Sequence, residues 1–171
     1  MYCPSEEMVA IVDRENNVTG AATRREMREK KLTHRCTYIV VQNSAGQLLV
    51  QRRTLTKDVY PGYLDPTTGG VVLAGESYEE SAARELAEEM GISGVELETL
   101  FDFWFDHAGI AVWGRVFRCM WDGAVVPQPE EVVEVVLRSP TEVIEGKELY
   151  TPDGLHVIRR LFGSGERLNK S

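Results

Sequence analysis

The sequence predicts an α/β fold: a mixed central sheet carrying helices on both of its faces, in an α/β/α sandwich. Three observations predict it. Runs of β-branched and aromatic residues outnumber helical segments, most neighbouring runs are joined by short turns, and one strongly capped helix over residues 77–90 interrupts them. At 171 residues the chain fits one domain spanning 1–171, long enough to bury a sizeable core. No internal repeat, low-complexity tract or Pro/Gly/Ser linker divides it.

Residues 9–12 and 18–22 flank a turn at Glu15-Asn16-Asn17 and read as a short hairpin, followed by a charged helix over 24–31. Residues 1–33 thus form an N-terminal hairpin and short helix expected to pack on the rest. Residues 36–41 are β-branched and aromatic, and Ser44-Ala45-Gly46 turns them into 47–53, which together predict a buried hairpin. Residues 54–69 read as loop, with Pro61-Gly62 and Asp65-Pro66 as breakers. Ser77 with Glu80 forms a capping box for the helix over 77–90, and Gly91 stops it. Residues 96–106 and 110–121 around His107-Ala108-Gly109 predict a third hairpin, and 132–137 a further strand. Residues 142–145 and 155–162 predict closing helices, the second approached through Pro152-Asp153-Gly154.

Composition excludes several classes. The net charge of −8 lacks the basic stripe of a general nucleic-acid binder. No apolar run approaches the roughly 18 residues needed to cross a bilayer. The N-terminus is acidic and has neither the basic nor the apolar region of a signal peptide. Cys3, Cys36 and Cys119 form no CxxC pair, which argues against a disulfide framework and a structural zinc site. A cytoplasmic location is expected. In so acidic a chain, action on an anionic substrate needs metal ions or a few placed basic residues.

The chemistry concentrates between Gly70 and Ile92: Gly70, five residues, Glu76, seven residues, then Arg84-Glu85-Leu86-Ala87-Glu88-Glu89-Met90-Gly91-Ile92. At about 100° per residue, Glu85, Glu88 and Glu89 fall within roughly a third of the helix circumference. Ala83, Leu86, Ala87 and Met90 are expected on the opposite, core-facing side. Residues 77–90 hold five glutamates against one basic residue, Arg84. Like charges at i,i+3 and i,i+4 each cost a few tenths of a kcal/mol. A hard divalent cation such as Mg²⁺, or Mn²⁺ in its place, would reverse that penalty.

The pattern Gly-x5-Glu-x7-Arg-Glu-U-x-Glu-Glu-x-Gly-U, with U a bulky aliphatic residue, resembles the Nudix box at every defined position. A chance match is on the order of 10⁻⁸ at average residue frequencies. The resemblance implies a Nudix-like fold and a Mg²⁺-dependent pyrophosphohydrolase. Glu85, Glu88 and Glu89 would be metal ligands, with a contribution from the Gly69 carbonyl. Arg84 would pair with a box carboxylate, Glu76 would order the loop, and Gly70 and Gly91 would be structural. Nudix enzymes often take a further acid from outside the box, for which Glu130-Glu131 and Glu134 are candidates.

The stretch Gln51-Arg52-Arg53-Thr54-Leu55-Thr56-Lys57, followed by Pro61-Gly62, resembles type I isopentenyl-diphosphate isomerases, a branch of the same family. That likeness implies substrate-diphosphate contacts for Arg53 and Lys57, consistent with fork-like and point contacts to phosphate. The isomerase cysteine, however, falls at Gly69 and its following metal-binding histidine at Val71. His34 matches another isomerase metal ligand, but alone reads as a locally bonded residue at the start of a strand. The expected function is hydrolysis of a phosphoanhydride in a nucleoside diphosphate or its derivative. Hydrolysis of non-nucleotide diphosphates, isomerisation of isopentenyl diphosphate, and a sensor without turnover are the alternatives. His107 and His156 carry no ligand spacing. Phe101, Phe103, Phe105, Trp104, Trp113 and Trp121 read as sheet core, with base stacking as the second reading.

Overall fold

The computed structural model describes residues 3–163. The remaining ends of the expected 1–171 unit, including the first two residues of the acidic N-terminus, lie outside them. A 3-10 turn at Pro4–Glu6 leads into β1 (Met8–Val12) and β2 (Val18–Thr23), then α1 (Arg24–Glu29). β3 (His34–Gln42), β4 (Leu48–Arg53) and a two-residue β5 (Leu64–Asp65) precede α2 (Tyr78–Met90). β6 (Glu98–His107), β7 (Ile110–Met120), β8 (Val132–Arg138), α3 (Pro140–Glu145) and α4 (Pro152–Phe162) complete the order. Among the described residues the eight strands form one sheet, in which β3 and β7 run parallel and the other paired strands antiparallel.

Local chemistry accounts for the element boundaries. Both halves of a capping box are made at Thr23/Glu26 for α1, Ser77/Glu80 for α2 and Ser139/Glu142 for α3. Gly91 ends α2 at φ 65°, a left-handed position that costs glycine nothing. Two helices begin earlier than the sequence suggests. Pro140 and Pro152 are first-turn residues, where a fixed φ and a missing N–H are tolerated, so Pro152-Asp153-Gly154 opens α4 and is not its approach.

The period-two alternation of β3 divides the core. Tyr38 and Val40 face one side with Val50, Phe103 and Val116, where Val143 of α3 and Val157 and Ile158 of α4 close over them. Ile39 and Val41 face the other side with Leu49 and Phe117, under Ala82, Leu86 and Met90 of α2. The arrangement is the expected α/β/α sandwich. The aromatic set is divided in the same way: Phe103 is core, Trp104 and Trp113 meet edge-on at 5.7 Å, and Trp121 packs on the α2 side.

Two expectations are corrected. β3 and β4 share a turn but do not form a buried hairpin. They pair at Gln42–Leu48 and then part, β3 to a nine-residue parallel ladder with β7, and β4 to β8 and β5. The core face of α2 is also rotated from its expected position. Ala83 and Ala87 are exposed, whereas Ser81, Ala82, Glu85, Leu86, Glu89 and Met90 are buried. Both outcomes have one cause. A separate segment of chain fills the gap between β3 and β4, and α2 lies against that segment with acids as well as aliphatics.

Candidate active site

The site forms where β3 and β4 diverge. Residues 68–72 enter the gap and bond to β3: the Ile39 N–H donates to the Thr68 carbonyl (2.6 Å), Thr37 N–H to Gly70 (2.9 Å), and Val72 N–H to Arg35 (3.0 Å). The expected loop 54–69 therefore holds a short strand, and its last residues join a ladder. A cavity of about 1120 Å³ opens beside this segment. It is far larger than a bare diphosphate, so it has room for a leaving group.

Glu85, Glu88 and Glu89 all line this cavity, but in different settings. Glu85 and Glu89 are each only 7% exposed, while the Glu88 side chain, 53% exposed, stands at the mouth. Gly70 makes the fit possible, because a Cβ there would lie 2.7 Å from Glu85 Oε1. Burial first, and then the Glu85 charge, push the Glu89 carboxyl up to about 8. Burial raises Glu85 as well, with the neighbouring Arg84 opposing it.

Arg84 is the organising cation. Its Nε and Nη2 hold Glu76 in a two-point contact (2.7 and 3.0 Å), and Nη1 donates to both Glu85 (2.9 Å) and Glu88 (3.3 Å). Glu76 also accepts from the Leu73 N–H at 2.9 Å, tying the loop before α2 to the helix. Among the described residues, no three His, Cys, Asp or Glu side chains already stand close enough to cage an ion. Arg84 bridges two of the acids, and Glu89 lies deeper. The donor set still suits a hard divalent cation: two adjacent buried carboxylates cannot both ionise cheaply without one.

The basic residues expected to meet phosphate are present but engaged. Arg53 lines the cavity and donates twice to the Val59 carbonyl (3.0 and 2.8 Å), with Asp65 at 3.8 Å. Lys57 lines it too and pairs with Glu131 at 2.5 Å. Of the three candidate extra acids, Glu130 and Glu131 line the cavity and Glu134 does not. Glu134 sits opposite Arg52 in the β4–β8 register and bonds it at 2.8 Å on the outer face. Strand alternation sends residue 52 away from the side that Gln51 faces. The loop carrying Glu131 is fastened to the end of α2 by the Val126 N–H to Met90 and the Gln128 N–H to Glu89 carbonyls.

The structure adds residues that sequence reasoning missed. Arg24, at the start of α1, lines the cavity; its Nη2 pairs with Glu7 at 2.7 Å, and its buried Nε has no hydrogen-bond partner among the described residues. The available signal was the i, i+4, i+7 stripe of Arg24, Arg28 and Lys31, all of which line the cavity. Gln51, buried on β4, donates to Glu89, and nothing local in the sequence marks it. At the far end of the cavity the Tyr38 hydroxyl donates to Asp153 (2.8 Å), and Phe105 supplies an aromatic wall. His34 bonds the Leu32 carbonyl through Nδ1 at 2.9 Å. Burial pushes the Cys36 thiol well above its ordinary range, which disfavours the thiolate.

Comparison with known proteins places this geometry in a family. The profile of the NUDIX domain matches residues 32–161. A Nudix hydrolase of Yersinia pestis is 47% identical over 152 residues, covering 89% of this chain and 84% of its own length. The Nudix hydrolase YfcD of Escherichia coli K12 is 46% identical over 154 residues, covering 90% of this chain and 86% of its own. Among solved structures, DR0079 from Deinococcus radiodurans superposes with a TM-score of 0.82 at 24% identity, over 91% of this chain and 99% of that one. Among the described residues no helix is long and apolar enough to cross a membrane. The chain belongs to the Nudix hydrolase family, enzymes that hydrolyse pyrophosphate bonds, generally in nucleoside diphosphate derivatives and with divalent metal ions such as Mg²⁺.

Proposed function

We propose that this protein is a Mg²⁺-dependent pyrophosphohydrolase cleaving a phosphoanhydride bond in nucleoside diphosphates or nucleoside-diphosphate derivatives, by attack of water at phosphorus. The supporting observation is the pair of buried acids, Glu85 and Glu89, meeting in one cavity with Glu88 at its mouth and cationic side chains on its other walls. Glu85, Glu88 and Glu89 would hold the cation, with the Gly69 carbonyl as a further donor. When bound, it would offset charge on the phosphoryl oxygens and favour ionisation of water. Arg84 and Glu76 keep the acids and the preceding loop in place. Arg53 and Lys57 face the substrate, Lys57 exchanging Glu131 for phosphate, and the free Nε of Arg24 is a further donor. Glu131, released from Lys57, is then the available extra acid. The N-terminal segment acts within the same unit, since α1 supplies one wall of the site.

The isomerase likeness is confined in this reading to diphosphate contacts. Gly69 and Val71 stand where that branch has its cysteine and histidine, so no acid is available at that position to protonate a carbon–carbon double bond. A panel of nucleoside di- and triphosphates, sugar nucleotides, dinucleoside polyphosphates and isoprenoid diphosphates tests the proposal. Assays run in ¹⁸O-labelled water, with products identified by mass spectrometry. Turnover of a nucleotide with label in a phosphate product, supported by Mg²⁺ or Mn²⁺ and abolished by EDTA, is the expected result. Double-bond migration in isopentenyl diphosphate, turnover of non-nucleotide diphosphates alone, or tight calorimetric binding with no product would contradict it.

A further inference from the structure

Gln51 is a buried polar side chain, 4% exposed, on a strand whose neighbours Leu48, Leu49 and Val50 are all core. Its amide nitrogen donates to Thr68 Oγ1 at 2.8 Å and to Glu89 Oε2 at 3.0 Å. An amide nitrogen carries two protons, so both are used. Flipping the amide would set its oxygen against the ionised carboxylate that a cation requires, and is disfavoured there. Thr68 is itself fully buried and locked to β3 by paired backbone bonds with Ile39 (2.6 and 2.9 Å). The amide is thus clamped between a fixed strand and the acid. Glu89 Oε2 also receives the Gly69 N–H at 3.4 Å. Among the described residues these two donors converge on that one oxygen, and Oε1, on a side chain that lines the cavity, receives none.

We infer that Gln51 is a positioning residue for metal binding: by clamping Oε2, it selects which oxygen of Glu89 meets the cation and holds the carboxylate in the rotamer that delivers it. The inference rests on the proposed ligand role of Glu89 and goes beyond it. Groups that orient a metal ligand typically change metal affinity or activity by about 10- to 100-fold when removed. The residue comes from β4, far from the box in sequence, so it couples the helix to the sheet strand that also carries Arg53.

Gln51→Met keeps the length of the side chain and removes both donors. Mn²⁺ binding to wild type and variant is measured by electron paramagnetic resonance, beside the Mg²⁺ dependence of turnover and unfolding in EDTA. The variant is expected to bind Mn²⁺ about 10- to 100-fold more weakly and to need correspondingly more Mg²⁺ for half-maximal rate. A purely structural role would instead lower the active fraction and leave both metal constants unmoved, which would overturn the inference. Gln51→His, which can restore one donor to Glu89, is expected to recover part of the affinity. Should Gln51→Met not fold, Thr68→Val carries the test by freeing the other end of the amide. A loss of roughly threefold or more in Mn²⁺ affinity then supports the inference, and none overturns it. If wild type itself fails to bind Mn²⁺, the metal reading of the whole site falls with it, an outcome distinct from equal binding by both proteins.

Discussion

Replacing Glu89 or Glu88 by Gln is expected to lower turnover by about 10³-fold, the cost of removing one preorganised charge from a site that stabilises a polyphosphate transition state. The two substitutions should differ in everything else. Glu89 is buried beside Glu85, and its carboxyl titrates near 8 in place of its ordinary 4.5. Metal-free wild type therefore loses stability as pH climbs from about 4.5 through 8, because the unfolded carboxyl ionises freely over that range while the buried one holds its proton. Glu89→Gln removes that loss, so its Tm in EDTA at pH 8 should rise by roughly 3–6 °C. Glu88 is half exposed and bonds Arg84 weakly at 3.3 Å, so Glu88→Gln should leave Tm within about 2 °C of wild type. Thermal scans beside steady-state assays check both halves. Undiminished turnover in either variant would refute the metal assignment.

The second large effect is expected from Arg84→Leu. This guanidinium serves three carboxylates at 2.7–3.3 Å, and two of them, Glu76 and Glu85, are largely shielded from solvent. Removing it leaves those acids without their main countercharge, a loss of about 2–4 kcal/mol in urea unfolding. The same change loosens the loop before α2, since Glu76 loses its two-point contact with the helix and keeps its bond from the Leu73 N–H. Turnover should fall by about 10²-fold or more even at saturating Mg²⁺. Glu76→Gln, which keeps a hydrogen-bonding partner for both Arg84 and Leu73, should be the milder variant in both measurements. A variant Arg84→Leu that unfolds like wild type would show that the acids do not depend on it.

Much of this was legible in the sequence, for local reasons. The capping box of α2 and its glycine stop are short-range chemistry, and the spacing of Glu85, Glu88 and Glu89 is a property of any helix. The box pattern added the loop geometry that Gly70 and Arg84 serve. What escaped was set by distant parts of the chain. The parallel pairing of β3 with β7 joins strands separated by three other strands and a helix, so the shared turn after Gln42 misled the reading toward a hairpin. The buried arc of α2 could not be placed by periodicity alone, because acids count as polar until a cavity is known to lie under them. Arg24 and Gln51 are brought to the site by tertiary packing. Glu134 shows the converse: a carboxylate in the right stretch, turned to the outer face by strand alternation and claimed by Arg52.

All of these expectations rest on Glu85, Glu88 and Glu89 converging on one divalent ion. Anomalous diffraction from crystals soaked in Mn²⁺ measures that directly. The expected result is Mn²⁺ density about 2.1–2.3 Å from carboxylate oxygens of these residues, with Glu89 contributing Oε1 and Arg84 withdrawn from Glu88 toward Glu76. Density elsewhere in the cavity, or no density with Arg84 still bridging Glu85 and Glu88, would contradict it.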